Sequence, residues 1–284
     1  MATLEMENSS VHFLIQGLRS KDAQTRTRAA KELRSSMESA SRSLSIETFA
    51  RFEQDLFQRV FSLVHAPDSP LWEKLGGLEA MDELLDVPSA DTETKVIKFA
   101  NKLSFSLRSS IEYEFLLQAS RTLGHLARSS VVPNADYVEF EVDRGVEWLS
   151  SEQSSRRLAA CFVLKELAAN APTLFYAKTG DFLDRVWVAL RDQKPIIRLN
   201  AARALSGCLR MLSTRSALNH VNWYCKVYEQ VQVGLLTGPG KGGQTSAMHG
   251  SLLVVGEMLS YTGDFMVPRF QVGRERRGGG GVGG

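Results

Sequence analysis

Apolar residues recur at helical spacing along most of this chain. In the segment 47–65, Phe49, Phe52, Leu56, Val60 and Leu63 stand three or four residues apart, so they fall on one face of an α-helix. Segments 94–109, 136–150, 173–192 and 223–236 repeat the design. A second helical stretch follows each of them. Breakers such as "HAPDSP", "SVVPNAD" and "NAPT" interrupt the pattern. Strict apolar–polar alternation with β-branched runs is nearly absent, so strands are not expected. The pattern predicts an all-α chain assembled from helix pairs.

The second helix of each pair carries a finer signature: a first slot, a small residue three positions on, a second position after that, and an aliphatic seven on. "RTRAAKEL" supplies Arg26, Ala29, Ala30 and Leu33; "KLGGLEAM" supplies Lys74, Gly77, Leu78 and Met81. "LLQASRTL" gives Leu116, Ala119, Ser120 and Leu123, and "RRLAACFV" gives Arg156, Ala159, Ala160 and Val163. "RLNAARAL" gives Arg198, Ala201, Ala202 and Leu205, and "AMHGSLLV" gives Ala247, Gly250, Ser251 and Val254. The small slot is Ala or Gly in every copy, whereas the first slot is basic in only four. Copies recur every ~40–49 residues, close to the 40–47 of HEAT and armadillo repeats. An α-α superhelix of this type, with about six helix pairs, is the expected fold.

The small slots have a packing reason. They let the second helix of one repeat lie close against neighbouring helices. A glycine inside a helix costs about 1 kcal/mol relative to alanine, so close contact must offset Gly77 and Gly250. Asp192 stands six residues before Arg198, and Asp68 six before Lys74. This spacing puts an acid in the turn and a base at the start of the second helix, where the two are expected to pair within or between repeats.

Charge and composition narrow the function. With 34 basic and 32 acidic side chains among 284 residues, the chain has a net charge of +2 and lacks the basic excess of a dedicated nucleic-acid binder. Cys161, Cys208 and Cys225 form no CxxC pair, which suits reduced, buried thiols of a cytoplasmic protein. The opening "MATLEMENSS" is polar and acidic, reads as no signal peptide, and is expected to be disordered over residues 1–10. No apolar run approaches the ~18 residues of a membrane span.

Catalytic motifs are missing. "GPGKGG" at 238–243 formally contains GxGxxG, but a helix rather than a strand precedes it, and Lys241 is followed by Gly242 instead of Ser or Thr. It reads as a loop. The histidines show no HExxH spacing, no GxSxG elbow occurs, and the HRD, DFG and VAIK signatures of a kinase domain are absent. No catalytic, cofactor-binding or metal-binding residue is expected. "YVEFEVDRGVEWL" at 137–149 sets Glu139, Asp143 and Glu147 in a row at i, i+4, i+8. The row is either a solvated face, neutralised by Arg144 and by Arg156 or Arg157, or an acidic docking stripe for a protein. The tail "GRERRGGGGVGG" abandons helical periodicity and is expected to be disordered over 271–284.

Four stretches, "EKLGGLEAMDELLDV", "YVEFEVDRGVEWL", "RRLAACFVLKELAANAPTLFY" and "MHGSLLVVGEML", resemble the N-terminal HEAT repeats of target of rapamycin (TOR) kinases, within a similarity that runs in order over 11–270. The resemblance implies a segment of a large serine/threonine kinase of the PI3-kinase-related family, active in nutrient and growth signalling. It implies a scaffold that contacts an adaptor subunit and a second TOR protomer. ATP and Mg would be used by a kinase domain far from these residues, so no phosphotransfer is expected of this chain alone. The cytoplasm is the implied location, with peripheral attachment to endomembranes through the full complex. The family continues into further repeats where this sequence turns to glycine, so the tail reads as truncation or misread sequence. An independent HEAT adaptor, of the transport-receptor or phosphatase-scaffold type, is the competing expectation.

Overall fold

Bulky and small apolar faces alternate along the chain, and the helices that carry them alternate in the same way. The computed structural model describes residues 2–128, 134–215, 220–236 and 242–269, with the backbone alone described at 2–9, 134 and 242–244. No strand occurs among the described residues. The chain divides into two compact units, 1–141 and 142–284.

The first unit holds α1 (Ala2–Leu18), α2 (Ala23–Ser43), α3 (Ile46–His65), α4 (Leu71–Leu85), α5 (Thr92–Ser109), α6 (Tyr113–Arg128) and the start of α7 (Asn134–Trp148). Helix starts follow from capping residues. The side chains of Asp22, Ser45 and Asp91 accept the backbone N–H of Thr25, Thr48 and Thr94 at 2.8, 3.4 and 3.0 Å. Helices α1/α2, α3/α4 and α5/α6 pair, and α2, α4 and α6 stack in turn. The first helices α3 and α5 barely meet. Their side chains explain the difference. Phe57 and Phe61 of α3 meet Phe99 of α5 edge-on, with centroids 5.0 and 5.3 Å apart, and these rings hold the backbones away from each other. The second helices instead carry Ala29, Ala30, Gly76, Gly77, Ala80 and Ala119, all buried, with Gly76 against the Leu18 carbonyl and the Arg26 side chain and Gly77 against Leu63 and Val64 of α3.

The second unit holds the rest of α7, then α8 (Ser154–Asn170), α9 (Pro172–Ala177), α10 (Thr179–Leu190), α11 (Pro195–Ser213), α12 (His220–Leu236), α13 (Gly242–Thr262) and a 3-10 turn at Gly263–Phe265. Here α8, α11 and α13 stack, with α10/α11 and α12/α13 as pairs. Gly145 of α7 faces Leu164 of α8. Pro172 and Pro195 start α9 and α11, where the missing N–H costs nothing. With α9 as an extra short helix, the described residues form six helix pairs, the all-α repeat architecture that the periodicity predicts.

Three expectations differ from the structure or fall outside it. The first ten residues, expected to be disordered, belong to α1 from Ala2 onward. The segment 173–192, expected as one helix, is divided at Lys178, whose N–H turns back onto the carbonyls of Phe175 and Tyr176. The tail 271–284 and the loop residues 237–241, including Lys241, lie outside the described residues.

Candidate protein-interaction surfaces

Three arginines link successive repeats in one manner. Arg198 Nη1 donates to the backbone carbonyls of Asp192 (2.6 Å) and Gln193 (3.0 Å), six and five residues earlier. Its Nε donates to His249 Nδ1 at 2.9 Å, and Nη1 also reaches Ser246 Oγ at 3.2 Å, both on α13. Arg26 Nη1 takes Ser20 O (3.2 Å) and Lys21 O (3.0 Å), again six and five residues back, while its Nε reaches Glu79 of α4 at 3.3 Å. Arg157 Nη1 takes Ser151 O and Glu152 O at 2.7 and 2.8 Å, and its Nε pairs with Asp192. Each guanidinium thus satisfies turn carbonyls that no helix uses and holds the next repeat with its remaining donor. Asp192 is spoken for throughout: Oδ2 accepts Arg157 Nε, and Oδ1 accepts the N–H of Lys194 at 2.8 Å.

This geometry corrects the register at two sites. The expected acid–base partner of Arg198, the Asp192 carboxylate, goes to the preceding repeat, and Arg198 donates to the Asp192 backbone carbonyl instead. In α8 the arginine in this role is Arg157, whereas Arg156 lies toward the Trp148 ring, 5.9 Å from its centroid. In α4 the backbone carbonyl of Leu18 presses on Gly76, as that of Leu190 presses on Gly250. Leu18 and Leu190 both stand eight residues before the linking arginine, so Gly76, not Gly77, matches Gly250. Gly77 faces Val64 and Leu63 of α3. By the same shift, Lys74 leaves the arginine slot to Glu73, and no ion pair joins Lys74 to Asp68 among the described residues. A side chain at Gly76 or Gly250 would overlap a backbone carbonyl, so only glycine fits there. The small positions Ala29, Ala119, Ala159 and Ala201 are buried, as are Gly77 and Gly250.

The acidic row lies on the outer side of α7, where Glu139, Asp143 and Glu147 are all exposed. Its base is Lys178, whose Nζ lies 2.8 Å from Asp143 Oδ1. Arg144, an expected neutraliser, is buried with its guanidinium 4.6 Å from the centre of the Trp148 ring. Spacing alone missed two neighbours of this row. Glu141 is fully buried and accepts the Ser104 hydroxyl at 2.9 Å, while Phe140 is 53% exposed.

The loose layer of first helices opens clefts. Between α3 and α5 a cavity of about 420 Å³ is lined by Phe57, Phe61, His65, Lys98 and Lys102. At the ends of these helices a second cavity of about 370 Å³ shares His65 and adds Lys74, Phe105 and Ile111. Burial, helped by Lys102, pushes His65 down to about 4, so its ring is neutral. Between α10 and α12 a cavity of about 410 Å³ is lined by Asp184, Trp187, Val188, Arg191, Lys226 and Gln230. There the polar groups answer one another. Lys226 lies 2.6 Å from Asp184, and Arg191 donates to Gln230 at 3.0 Å.

Chemistry needs more than these surfaces offer. Cys161 and Cys208 are buried, and burial drives both thiols far above their ordinary value, which keeps them protonated and unreactive. His125 bridges Asp82 (Nδ1, 3.2 Å) and Asp86 (Nε2, 2.9 Å), and the hydrogen bond to Asp82 raises its pKa. No group of three or more His, Cys, Asp or Glu suited to a metal occurs among the described residues. None of the described helices is long and apolar enough to cross a membrane.

Known proteins place this architecture. The chain is 40% identical over 243 residues to a rice (Oryza sativa subsp. japonica) protein, serine/threonine-protein kinase TOR, covering 85% of this chain and 10% of that protein. It is 38% identical to Arabidopsis thaliana TOR, covering 84% of this chain and 9% of that protein, and 35% identical to tor1 of Schizosaccharomyces pombe, covering 88% and 10%. The chain therefore spans about a tenth of the length of these relatives. No family model matches it. Among solved structures, an engineered protein is similar at 16% identity and TM-score 0.43, covering 86% of this chain and 98% of that one. A designed armadillo repeat protein is similar at 13% identity and TM-score 0.35, covering 85% and 98%. On its similarity to the curated relatives, the chain belongs to the TOR family of serine/threonine-protein kinases, of which it is a helical-repeat segment.

Proposed function

We propose that this chain is an N-terminal scaffold arm of a TOR-type kinase, working through protein contacts with an adaptor subunit and a second TOR protomer. The observation that carries the reading is 40% identity to a TOR kinase sustained over 85% of the chain. The helix pairs agree with it, because a stack of repeats offers long lateral surfaces and no enclosed catalytic site. Phosphotransfer, with its ATP and Mg, belongs to the kinase domain of the full-length protein, since these 284 residues contain none of the kinase signatures. Residues 11–270 act as the repeat region. The arm works in the cytoplasm and reaches endomembranes only through the assembled complex.

The exposed side of α7, with Glu139, Asp143 and Glu147, is part of the adaptor contact. A pull-down with the purified adaptor subunit tests the reading: the 284-residue chain should bind it saturably. Glu139→Lys/Asp143→Lys/Glu147→Lys should weaken binding about fivefold, roughly 1 kcal/mol, with helicity unchanged. An adaptor that does not bind the parent chain would overturn the scaffold reading. Unchanged binding by the triple variant would return the row to a solvated face.

A further inference from the structure

The two clefts of the first-helix layer differ in whether their charges are already answered. In the α10/α12 cleft, Lys226 has Asp184 and Arg191 has Gln230. In the α3/α5 cleft and its continuation, Lys98, Lys102 and Lys74 form no ion pair among the described residues, and Glu112 is the single acid lining it. Lys98 and Lys102 on α5 and Lys74 on α4, against one lining acid, leave the cleft and its continuation net positive. The apolar lining is equally uncovered. Phe105 is 58% exposed and Ile111 is 78% exposed, and both edge the same opening. His65 turns its edge to Phe105, with ring centroids 5.2 Å apart, and its Nε2 is shielded from water with no hydrogen-bond partner among the described residues.

We infer that the α3/α5 cleft binds an acidic, apolar segment of a partner protein, with carboxylates on Lys98, Lys102 and Lys74 and an apolar side chain on Phe105 and Ile111. The inference rests on the scaffold reading and adds to it the site and the chemistry of what docks there. The fit is one of charge and shape. Lysines on α5 recur at i, i+4, so Lys98 and Lys102 stand one helical turn apart, and carboxylates spaced one turn apart on a docked helix meet both. From Gln54 to His65 the α3 wall runs about 16 Å, room for roughly three turns of helix. The Lys102 ammonium lies over the Phe61 ring, 5.6 Å from its centroid, which holds it at the wall of the cleft. The cleft of α10/α12 has the same place in the repeat, but an entering carboxylate there must displace Asp184 from Lys226. It is the built-in negative control.

The test titrates the full 284-residue chain into a fluorescein-labelled peptide of sequence YVEFEVDRGVEWL, an acidic segment with aromatic side chains, and reads fluorescence anisotropy. Saturable binding is expected, weakening with salt as a charge-assisted contact should. Lys98→Glu/Lys102→Glu should weaken it at least tenfold, and the milder Lys98→Met/Lys102→Met should weaken it less, both with unchanged circular dichroism. Phe105→Ser should also weaken it, and Lys226→Glu should leave it unaltered. A peptide with every Glu and Asp changed to Gln and Asn should not bind. No saturable binding at roughly millimolar chain, or equal affinity for the parent and the double Met variant, would overturn the inference. So would lysine-dependent binding to phosphatidylserine vesicles without binding to the peptide, since the ligand would then be a lipid surface. Adaptor binding by the parent chain, measured separately, decides the scaffold reading. If the adaptor binds and the peptide does not, the cleft fails alone.

Discussion

Within each repeat the two helices follow opposite packing rules. In each unit the second helices bring small residues to their closest contacts, Gly76 on the end of α1, Gly207 beside Ala168 and Gly250 on the end of α10, and arginines cross from repeat to repeat. The first helices put phenylalanine and tryptophan at the same contacts, stay apart, and leave clefts and unpaired charge. Side-chain size sets backbone spacing, and backbone spacing decides what each layer can do. The tight layer holds the array together. The loose layer is left to meet other molecules.

The largest effect should come from closing the tight layer's closest approach. Gly76→Ala places a methyl group against the Leu18 carbonyl and should cost about 3 kcal/mol, because backbone rather than a flexible side chain must move. Gly256, likewise inside a second helix (α13) but with nothing within 4 Å of a new Cβ, is the matched contrast. Gly256→Ala should stabilise by about 0.5–1 kcal/mol, since alanine has less backbone freedom to lose. Denaturant unfolding of both variants gives the two signs. If Gly76→Ala is neutral, the close approach of α4 to the end of α1 does not set the spacing of these repeats.

The arginine links come next. Arg157→Met should cost about 2 kcal/mol, since two turn carbonyls and the buried Asp192 carboxylate lose a charged donor. Arg156→Met should cost under about 0.5 kcal/mol. Equal costs at the two positions would dismiss the register set by these hydrogen bonds.

That pair of neighbours also shows how far the sequence could be read. The helix pairs, their number and the small-residue face were legible, because helical spacing and a repeat of about 40 residues are carried by the order of residue types along the chain. What spacing could not choose was between adjacent candidates, Gly76 or Gly77 and Arg156 or Arg157. A one-residue step turns a helix by about 100°, and both members of each pair satisfy the pattern. The partner settled the choice, through Leu18 and Asp192, which are distant in sequence. Glu141 was within reach, since it stands three residues from Val138 and next to Val142 on the buried face. Its charge argued against burial, and the Ser104 hydroxyl on α5, distant in sequence, meets that carboxylate there. The clefts were not legible at all. They arise from how far apart two helices stand, and no local pattern records that distance.

The smallest effect is a pair of opposite pH dependences, one from each layer. His65, in the loose layer, is held neutral with a pKa of about 4, below the ordinary 6.5. The unfolded chain binds its proton first, so stability is lost as pH falls from about 6.5 toward 4. His125, in the tight layer, has a pKa raised by Asp82 and then Asp86. Its contribution is full below 6.5 and is lost as pH rises through the raised value. Each is worth no more than about 1 kcal/mol, because both sites remain partly open to solvent. Unfolding measured between pH 5 and 8 should show His65→Gln flattening the acid side and His125→Gln flattening the neutral-to-alkaline side. The same slope change from both would contradict the assigned environments.

The division of labour between the layers is tested most directly by hydrogen–deuterium exchange on the 284-residue chain, alone and with the adaptor subunit. Alone, the amides of α4, α8 and α11 should exchange slowest, and those of α3, α5 and α10 faster. With the adaptor bound, new protection should appear on α3, α5 or α7 and leave α4, α8 and α11 as they were. Protection gained on α4, α8 and α11 with none on α3, α5 and α7, or slower exchange of the first helices in the free chain, would contradict the account.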